Sequence, residues 1–204
     1  MIAVILAAGL SKRFGGMKLL KEVQGKAMVL HVADLVGNMD FEQRIFVYSD
    51  EEVLKKVKNR YSKTCEYQFS YNGQAEKGLS SSIRIALKNI SDEKRDTGII
   101  FFVADQPFVD ETTVNRLREA YNEGKGSIIV PLYGKNRGNP VIFSNKWVEQ
   151  LKNLEGDVGG RSIIRENKEE VWEVPIADDR IGRDIDTIED YCTLISQLQN
   201  SQSL

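Results

Sequence analysis

A segment near the start of the chain has the composition of a phosphate-binding loop. It spans residues 7–18 (AAGLSKRFGGMK) and follows a continuous apolar run over residues 2–6. Small residues let backbone N–H groups approach an anion closely, and Lys12, Arg13 and Lys18 supply positive charge. A basic surface turn after a strand would have the same composition, so the segment by itself leaves both interpretations open.

Neither of two well-known phosphate-binding motifs fits this segment. A P-loop requires G-x-x-x-x-G-K-[ST], whereas five residues separate Gly9 from Gly15 and Gly16 stands where the lysine is needed. The dinucleotide fingerprint G-x-G-x-x-G has no match in the segment either. Its absence argues against a Rossmann site for a nicotinamide cofactor, although it does not exclude every redox role.

Carboxylates in two later segments are candidates for holding a divalent cation. Asp105 follows the strong apolar stretch 98–104 and stands before a Gln-Pro turn, so we expect it at the carboxyl end of a strand, where it could hold a metal ion over the sheet. Asp184 and Asp186 are separated by one residue. The alternative for Asp105 is to cap the turn or the next helix, and Asp186 or Thr187 could equally be a helix N-cap.

These candidate residues are positioned by a predicted alternation of strands and helices, read from short apolar runs and from helically spaced apolar residues. The predicted strands cover residues 2–6, 44–48, 66–69, 98–104, 127–130, 141–143 and 171–174. The predicted helices cover residues 27–36 (ended by Gly37), 53–61 (capped by Ser49 or Asp50), 79–90, 114–121, 146–153, 160–167 and 187–198.

This order of elements predicts an α/β protein with a mainly parallel sheet and helices on both faces. A loop over residues 134–140 is expected between two of the strands. In open parallel sheets, ligands bind beyond the carboxyl ends of the strands. Both the 7–18 segment and Asp105 are predicted to follow a strand directly, so they are expected at the binding edge.

Length and charge exclude several classes of protein. A chain of 204 residues predicts one domain, here residues 1–199, with a frayed tail over 200–204. Twenty-eight Lys and Arg against 30 Asp and Glu give a net charge of −2, which disfavours a duplex-DNA binder. No apolar stretch reaches the roughly 18 residues that a membrane span needs.

The rare residue types narrow the chemistry further. The single histidine, His31, cannot form a His-rich metal site and makes a Ser-His-Asp triad improbable, so we predict a packing or hydrogen-bonding role for it. Cys65 and Cys192 form no C-x-x-C and are interpreted as reduced, buried or semi-exposed thiols of a cytosolic protein. For Trp147 and Trp172, core or edge packing is favoured over a contact with a ligand ring.

Residues 6–18 (LAAGLSKRFGGMK) closely resemble the signature L-A-A-G-x-S-x-R-[FM]-G-x-x-K of nucleotidyltransferases. That signature alone leaves open the sugar-1-phosphate nucleotidyltransferases, the guanylyltransferase of molybdenum cofactor and its cytidylyltransferase relative. Later motifs resemble the molybdenum cofactor cytidylyltransferase branch of the MobA-like NTP transferases, in the order of that family: GLSSSI (78–83), ADQP (104–107), GNPVIF (138–143), GDVGGR (156–161) and DIDT (184–187). Ile188 departs from the proline that often follows the last motif, which should affect the helix start more than the chemistry.

The resemblance implies a three-layer Rossmann-like nucleotidyltransferase fold and a reaction. In it, the terminal phosphate of molybdenum-molybdopterin attacks the α-phosphate of CTP, giving the cytosine dinucleotide cofactor and pyrophosphate. A phosphate monoester is already largely dianionic at neutral pH and needs no general base, which suits a chain with one histidine. Positioning and charge neutralisation by Mg²⁺ and basic residues then suffice.

The resemblance also implies roles for particular residues. Lys18 would act on the α-phosphate, Arg13 on the leaving phosphates and Asp105 on Mg²⁺, with Asp186 preferred to Asp184 as the second metal ligand. The expected nucleotide-binding residues are Ala7, Ala8, Gly9, Ser11, Arg13, Lys18, Asn72, Gly78 and Ser82. The expected acceptor-binding residues are Asn139, Asp157, Gly159 and Arg161.

Alternatives stay open for some of these positions. At least one of Ser80, Ser81 and Ser82 is expected to cap a helix N-terminus. Arg165 lies one helical turn from Arg161, and solvent exposure is the favoured interpretation of it. The nucleotide-binding half would cover about residues 1–107 and the acceptor-binding half about 108–199.

Three other functions remain as rival hypotheses. They are a nucleotidyltransferase for another base or acceptor, an NAD(P)-dependent oxidoreductase of the kind named among relatives of this branch, and a non-catalytic carrier that delivers cofactor. The expected partners are CTP and molybdopterin-type small molecules, with an apo molybdenum hydroxylase or its chaperone as a further candidate. Neither a nucleic acid nor a membrane is expected as a partner, and the expected location is the cytoplasm.

Overall fold

A computed structural model describes residues 1–61, 66–91 and 97–201 of the chain. The strands are β1 Ile2–Ala7, β2 Glu22–Val23, β3 Lys26–Ala27, β4 Gln43–Tyr48, β5 Gln68–Tyr71, β6 Ile99–Val103, β7 Ile128–Tyr133, β8 Asn136–Arg137, β9 Val141–Phe143 and β10 Val171–Ile176. The α-helices are α1 Met28–Asn38, α2 Glu51–Tyr61, α3 Leu79–Lys88, α4 Glu111–Asn122, α5 Val148–Lys152, α6 Arg161–Glu166 and α7 Ile188–Ser201. Residues 202–204 of the predicted tail, and Cys65, lie outside the described residues.

The main sheet has the order β10-β7-β9-β6-β1-β4-β5, and β8 pairs with β7. Neighbours β6, β1, β4 and β5 are parallel, as are β7 and β10. Strand β9 runs antiparallel to both β6 and β7. The connection over residues 134–140 is too short for the crossover that a parallel neighbour requires, so β9 returns beside β7 in the opposite direction. The predicted mainly parallel sheet is confirmed.

Two hydrophobic clusters cover the two faces of the sheet, because successive side chains of a strand point to opposite faces. On β1, Ala3 and Ile5 belong to the cluster that includes residues of α1, α2, α4 and α7. Ile2 and Val4 belong to the cluster that includes residues of α3, α5 and α6. Strand β1 is buried along its whole length. The predicted three-layer α/β arrangement is confirmed.

The structure shifts several predicted boundaries, among them the end of β7 from residue 130 to Tyr133, and adds a hairpin. Helix α1 continues through Gly37 to Asn38, so the expectation that Gly37 ends it is wrong. The glycine serves packing, since a Cβ at this position would lie 2.8 Å from Cε1 of Tyr61 on α2. Strand β5 begins and ends two residues later than predicted. The two-residue strands β2 and β3 form a hairpin that the apolar pattern does not signal.

The cap of α2 is Asp50 rather than Ser49. Its Oδ1 accepts hydrogen bonds from the backbone N–H groups of Glu52 and Val53, at 2.8 and 3.2 Å. The Ser49 hydroxyl instead donates to the carbonyl of Ala8 at 3.1 Å, which ties the end of β4 to the loop after β1.

His31 has the predicted hydrogen-bonding role. Its Nε2 lies 2.8 Å from the carbonyl oxygen of Val23, so it donates to that oxygen. Burial lowers the pKa of His31, although the bond to Val23 opposes this effect. The imidazole therefore fastens α1 to the β2–β3 hairpin.

The tryptophans are placed as predicted, whereas one cysteine is not. Trp147 is buried and donates to the Ser127 hydroxyl at 2.9 Å, and Trp172 lies on the edge strand β10. Cys192 is exposed on α7, so the prediction of a buried or semi-exposed thiol is wrong for it. Over the described ranges, no helix has the length and apolar content needed to cross a bilayer.

Candidate functional site

A cleft of about 530 Å³ opens at the carboxyl ends of β1, β4 and β5. This is the edge where ligands bind in an open parallel sheet. Its walls come from the loop after β1, the start of α2 and the segment after β5. The lining residues are Ala7, Gly9, Leu10, Ser11, Lys12, Gly15, Gly16, Met17, Lys18, Leu19, Ser49, Asp50, Val53, Tyr71, Asn72, Gly73, Ala75 and Glu76.

The loop after β1 is a folded turn with a buried anchor. The backbone N–H groups of Phe14 and Gly15 donate to the Ser11 carbonyl at 3.0 and 3.1 Å. Ser11 and Gly15 both have positive φ, 48° and 74°, which curls the loop tightly. The Phe14 side chain is buried and packs edge-on against the Tyr191 ring of α7 at 6.1 Å. The anchor leaves the neighbouring polar residues free to face the cleft.

Lys18 lies at the centre of a charged cluster. Its side chain is only 8% exposed, and its Nζ lies 2.7 Å from Asp105 Oδ2 and 3.2 Å from Asp186 Oδ1. The guanidinium of Arg13 approaches the other oxygen of Asp186 at 3.1 Å, while remaining 74% exposed. Four predicted site residues from three distant segments therefore meet at one place.

Backbone contacts hold the two carboxylates in position. Asp105 directly follows Ala104, whose N–H donates to the Leu6 carbonyl at 3.2 Å. The Asp105 carbonyl in turn accepts from the N–H of Ile185 at 3.4 Å, and the Ile185 side chain is completely buried. The segment that carries Asp186 is thus fastened to the end of β6.

Neither Asp105 nor Asp186 serves as a helix cap in the structure, although the sequence left that alternative open. Asp110, not Asp105, caps α4, accepting from the Thr113 N–H at 2.8 Å. At the start of α7, the Thr187 hydroxyl accepts from the Asp190 N–H at 3.1 Å, and Asp190 accepts from the Thr187 N–H at 2.8 Å. This reciprocal pair caps the helix. Asp186 is therefore free to pair with Lys18 and Arg13.

Asp184 has different neighbours from Asp186. It accepts a hydrogen bond of 2.7 Å from Gln106 Nε2, which also donates to the Gly182 carbonyl at 3.0 Å. Loss of hydration and the negative charge of Asp105 raise the pKa of Asp184 above its ordinary value. The two aspartates lie on an irregular segment, not on a strand, and only Asp186 contacts Lys18.

The donor set of Asp105 and Asp186 fits a Mg²⁺ ion. Magnesium is usually bound by one or two carboxylates together with substrate phosphates and several waters. Within the described ranges, no group of three or more His, Cys, Asp and Glu side chains could form an all-protein cage for a metal. Two carboxylates beside a loop with the composition of a phosphate-binding segment match the first pattern.

Asn72 is buried and organises the segment after β5. Its Nδ2 donates to the hydroxyls of Ser81 and Ser82 at 2.8 and 2.9 Å, and its Oδ1 accepts from the Gln74 N–H at 2.9 Å. Both amide protons are thus committed to α3. Asn72 lines the cleft, whereas Ser82, although predicted beside it, is buried behind it.

Gly78 is packed against the predicted acceptor segment. Its φ is +85°, and a Cβ would lie 2.6 Å from the Gly156 carbonyl carbon and 2.7 Å from the backbone of Asp157. Asp157 Oδ1 accepts from the Leu79 N–H at 3.1 Å, and the Gly156 carbonyl accepts from the Ser80 N–H at 3.2 Å.

Segment 156–157 therefore caps α3, and Gly78 occupies the N-cap position. The expectation that one of Ser80, Ser81 and Ser82 caps this helix is wrong. All three serines are buried within the first turn of α3, and the Ser81 hydroxyl donates to the Gly78 carbonyl at 2.8 Å. The N–H groups at the helix start are satisfied from a distant loop, which local sequence does not reveal.

The remaining predicted acceptor residues lie outside the cleft. The Asn139 carbonyl accepts from the Tyr133 hydroxyl at 2.8 Å. Gly159 has a φ of +50° and packs against Leu79, whose Cδ2 would lie 2.7 Å from a Cβ there. Arg161 is exposed at the start of α6. Arg165 is 75% exposed, as predicted.

The sequence analysis missed several residues that line the cleft: Leu10, Met17, Asp50, Tyr71 and Glu76. Tyr71 comes two residues after the predicted end of the third strand at residue 69. In this part of the chain only Asn72, Gly78 and Ser82 are predicted to bind the nucleotide, so the tyrosine ring is missed.

Comparisons with known proteins identify the family to which the chain belongs. The family model of the MobA-like NTP transferase domain matches residues 3–171. The chain is 26% identical over 158 residues to a probable molybdenum cofactor guanylyltransferase from Thermococcus sibiricus, covering 74% of this chain and 73% of that protein. It is 27% identical over 202 residues to the nicotine blue oxidoreductase of Paenarthrobacter nicotinovorans, covering 94% and 95%. The chain spans only 27% and 30% of two bifunctional GlmU proteins that it matches.

Among solved structures, Rv0371c from Mycobacterium tuberculosis is similar over 96% of both chains, with a TM-score of 0.79 and 26% identity. Another structure of Rv0371c is a complex with manganese. The family match covers most of the chain, including the loop after β1 and Asp105. The chain therefore belongs to the MobA-like NTP transferase family and is a nucleotidyltransferase.

Proposed function

We propose that this protein transfers CMP from CTP to the terminal phosphate of molybdenum-molybdopterin, releasing pyrophosphate. The observation that carries the proposal is the position of Lys18. It is buried beside the glycine-containing loop and lies within 3.2 Å of both Asp105 and Asp186. Such a cluster can gather a phosphate, a cation and a second phosphate at one point.

Charge complementarity supports the proposed roles of the basic residues. Lys18 would bind the α-phosphate, where charge bridges the attacking and leaving oxygens, and Arg13 would bind the leaving β- and γ-phosphates. Arg13 is 74% exposed and can reorient without disrupting the core. Backbone groups of Ala7, Ala8 and Gly9, with Ser11, would hold the nucleotide in the cleft.

Asp105 and Asp186 would hold Mg²⁺. When bound, the ion supplies positive charge to the phosphate oxygens and orients them. The two carboxylates are already paired with Lys18 and Arg13, so the cluster can redistribute its contacts when phosphates enter. The manganese complex of Rv0371c supports a divalent cation in a relative, and the choice of Mg²⁺ is our proposal.

The acceptor would approach from the half of the chain after β6. Asn139, Asp157, Gly159 and Arg161 are the proposed contacts, and residues 1–107 and 108–199 are the proposed nucleotide and acceptor halves. The contact of Gly78 with Gly156 and Asp157 supports a shared site, because it would bring the proposed nucleotide and acceptor segments side by side.

The preference for cytosine rests on the motif at residues 78–83, with Asn72, Gly78 and Ser82 as proposed determinants. Of the three only Asn72 lines the cleft, so Gly78 and Ser82 would act indirectly, Ser82 by accepting a hydrogen bond from the Asn72 amide. Guanylyl transfer is the nearest alternative, since one relative is named a probable molybdenum cofactor guanylyltransferase. A sugar phosphate acceptor is the other.

An oxidoreductase is a second candidate function, favoured by one observation. The nicotine blue oxidoreductase matches this chain over 94% of its length, further than the guanylyltransferase does. Hydride transfer from NADH or NADPH, followed by absorbance, tests it directly. Oxidation of either cofactor at a substrate-dependent rate would favour this function over the proposed transfer of CMP to molybdopterin.

Pyrophosphate release tests the main proposal. Each of the four NTPs is supplied with Mg²⁺ and molybdenum-loaded molybdopterin, and metal-free molybdopterin serves as the control. We expect release with CTP and much less with the other three. Release with GTP alone would show that the protein transfers GMP and not CMP. Release with none of the four NTPs would overturn the proposed transfer.

Two further proposals concern the surroundings of the protein. An apo molybdenum hydroxylase or its chaperone is proposed to receive the product. A cytoplasmic location is proposed because the exposed free thiol of Cys192 suits a reducing compartment.

A further inference from the structure

An exposed aromatic ring stands at the rim of the cleft. Tyr71 is the last residue of β5, and it is 58% exposed while lining the cleft. Large hydrophobic side chains with similar exposure are few among the described residues: Leu10, Met17, Tyr71, Val158, Trp172 and Ile188. Leu10, Met17 and Tyr71 line the same cleft, so three of these six exposed apolar side chains are gathered at the binding edge.

The Tyr71 ring is supported by its neighbours. Tyr71 pairs with Tyr48 in the β4–β5 ladder, and the two ring centroids are 5.6 Å apart with the planes tilted by 55°. Gly73 leaves room for the ring, because a Cβ at that position would lie 3.1 Å from Tyr71 Cε1. The ring is thus held in place from the protein side and open towards the cleft.

The sheet order separates this ring from the charged cluster. Asp105 follows β6, the loop with Lys18 follows β1, and Tyr71 ends β5, with β4 between β1 and β5. Three strand spacings separate β6 from β5, which is roughly 14 Å. The binding edge therefore has a cationic and acidic region at one end and an apolar aromatic surface at the other.

A nucleoside triphosphate has the same polarity, with anionic phosphates at one end and a flat base at the other. We propose that the Tyr71 ring is the surface on which the nucleobase of the bound nucleotide stacks, with Met17 and Leu10 completing an apolar rim. This inference rests on the proposed function only in requiring a nucleotide in the cleft. It does not depend on cytosine, since every base has a π-face.

Calorimetric titration of nucleotide and of its base-free counterpart tests the inference. CTP and inorganic tripolyphosphate, each with Mg²⁺, are titrated into the wild-type protein and into the variants Tyr71→Ala and Tyr71→Phe. Loss of one base–aromatic stacking contact is expected to weaken CTP binding by about tenfold in Tyr71→Ala. Tripolyphosphate binding should stay unchanged, and Tyr71→Phe should bind CTP within about twofold of the wild type.

Trp172→Ala provides the matched control. Trp172 is 44% exposed on β10, the strand at the opposite edge of the sheet, and does not line the cleft. Its removal should leave CTP affinity unchanged. Melting temperatures of all variants verify folding, and steady-state kinetics should show the Tyr71→Ala effect in KM for the nucleotide rather than in kcat.

Several results would overturn the inference. They are an unchanged CTP affinity in Tyr71→Ala, an equal loss of tripolyphosphate affinity, or an equal loss in Trp172→Ala. If the wild type binds another NTP better than CTP, the cytosine proposal fails and the Tyr71 comparison is made with that nucleotide. If the wild type binds every NTP no more tightly than tripolyphosphate, the stacking surface is refuted, whereas phosphate binding in the cleft is supported. If it binds neither, both proposals fail.

Discussion

Lys18 Nζ lies 2.7 Å from Asp105 Oδ2, although 87 residues separate the two in the chain. The lysine comes from the loop after β1 and the carboxylate from the end of β6, the neighbouring strand. Lys18 Nζ also contacts Asp186 Oδ1 at 3.2 Å, so the ammonium group lies between the two carboxylates. The catalytic proposal depends on this convergence.

Replacing Lys18 tests the centre of the cluster. Lys18→Met should lower kcat for pyrophosphate release by about 100-fold or more, because a preorganised positive charge beside the reacting phosphate is lost. Without the ammonium group, Asp105 and Asp186 repel each other, so added Mg²⁺ should raise the melting temperature of the variant more than that of the wild type.

Lys152→Met is the control for that substitution, since Lys152 forms an exposed ion pair with Glu149 on α5. Its effect on stability should stay within about 0.5 kcal/mol, and its activity should be normal. Activity of Lys18→Met within threefold of the wild type would contradict the role of Lys18.

The metal ligands are distinguished by comparing two aspartates. Asp186→Asn should raise the Mg²⁺ concentration for half-maximal pyrophosphate release by about tenfold or more, as is typical when metal-site partners are lost. Asp184→Asn should change it less, because an amide oxygen can still accept the hydrogen bond from Gln106. A larger effect at residue 184 than at residue 186 would reverse the assignment.

Gly78 is predicted to be intolerant of a side chain. In Gly78→Ala, the Cβ would meet the backbone of Gly156 and Asp157 at 2.6 to 2.7 Å, and backbone cannot move aside cheaply. Strained backbone and the clash together should cost roughly 2–4 kcal/mol of unfolding free energy, measured by urea denaturation.

Gly124→Ala controls for the positive φ alone. Gly124 has a φ of +68° and nothing within 4 Å of its Cβ position. The Gly124→Ala substitution should lower the free energy of unfolding by only about 1–2 kcal/mol. Equal destabilisation of the two variants would show that the contact with segment 156–157 has no energetic weight.

The buried Asp34 should make stability depend on pH. It accepts hydrogen bonds from Lys26 at 2.9 Å, from Arg60 at 2.9 and 3.0 Å, and from the hydroxyl of Tyr61. Burial by itself would raise the pKa of Asp34, but the bonds from Arg60, Tyr61 and Lys26 outweigh it and lower the pKa below its ordinary value.

A lowered pKa in the folded state stabilises the protein above the unfolded pKa of about 3.9, and this stabilisation is lost as the pH falls through the folded value. Asp34→Asn should therefore destabilise the protein by roughly 1–3 kcal/mol at pH 7. The difference from the wild type should shrink below about pH 4. Glu149→Gln, on the surface of α5, should show no such trend, and a constant difference for Asp34→Asn would refute the account.

Much of the fold could be predicted because its signals are local. The apolar run of β1, the helical spacing of residues 79–87 and the short loop before β9 each reflect neighbouring residues, and all three appear in the structure. The two-residue strands β2 and β3 escaped prediction because so short a hairpin has no measurable period.

The sequence by itself determined the residue types of the site and the order of its elements. It supplied Lys18, Asp105 and Asp186 from recognisable motifs, and an alternating pattern that requires a mainly parallel sheet. Tertiary structure alone decided which carboxylate pairs with Lys18, which loop caps α3 and how far Tyr71 reaches into the cleft. These outcomes join residues as far apart as Lys18 and Asp186, separated by 168 positions. Such contacts depend on strand order and on where each strand stops, and neither is encoded by local periodicity.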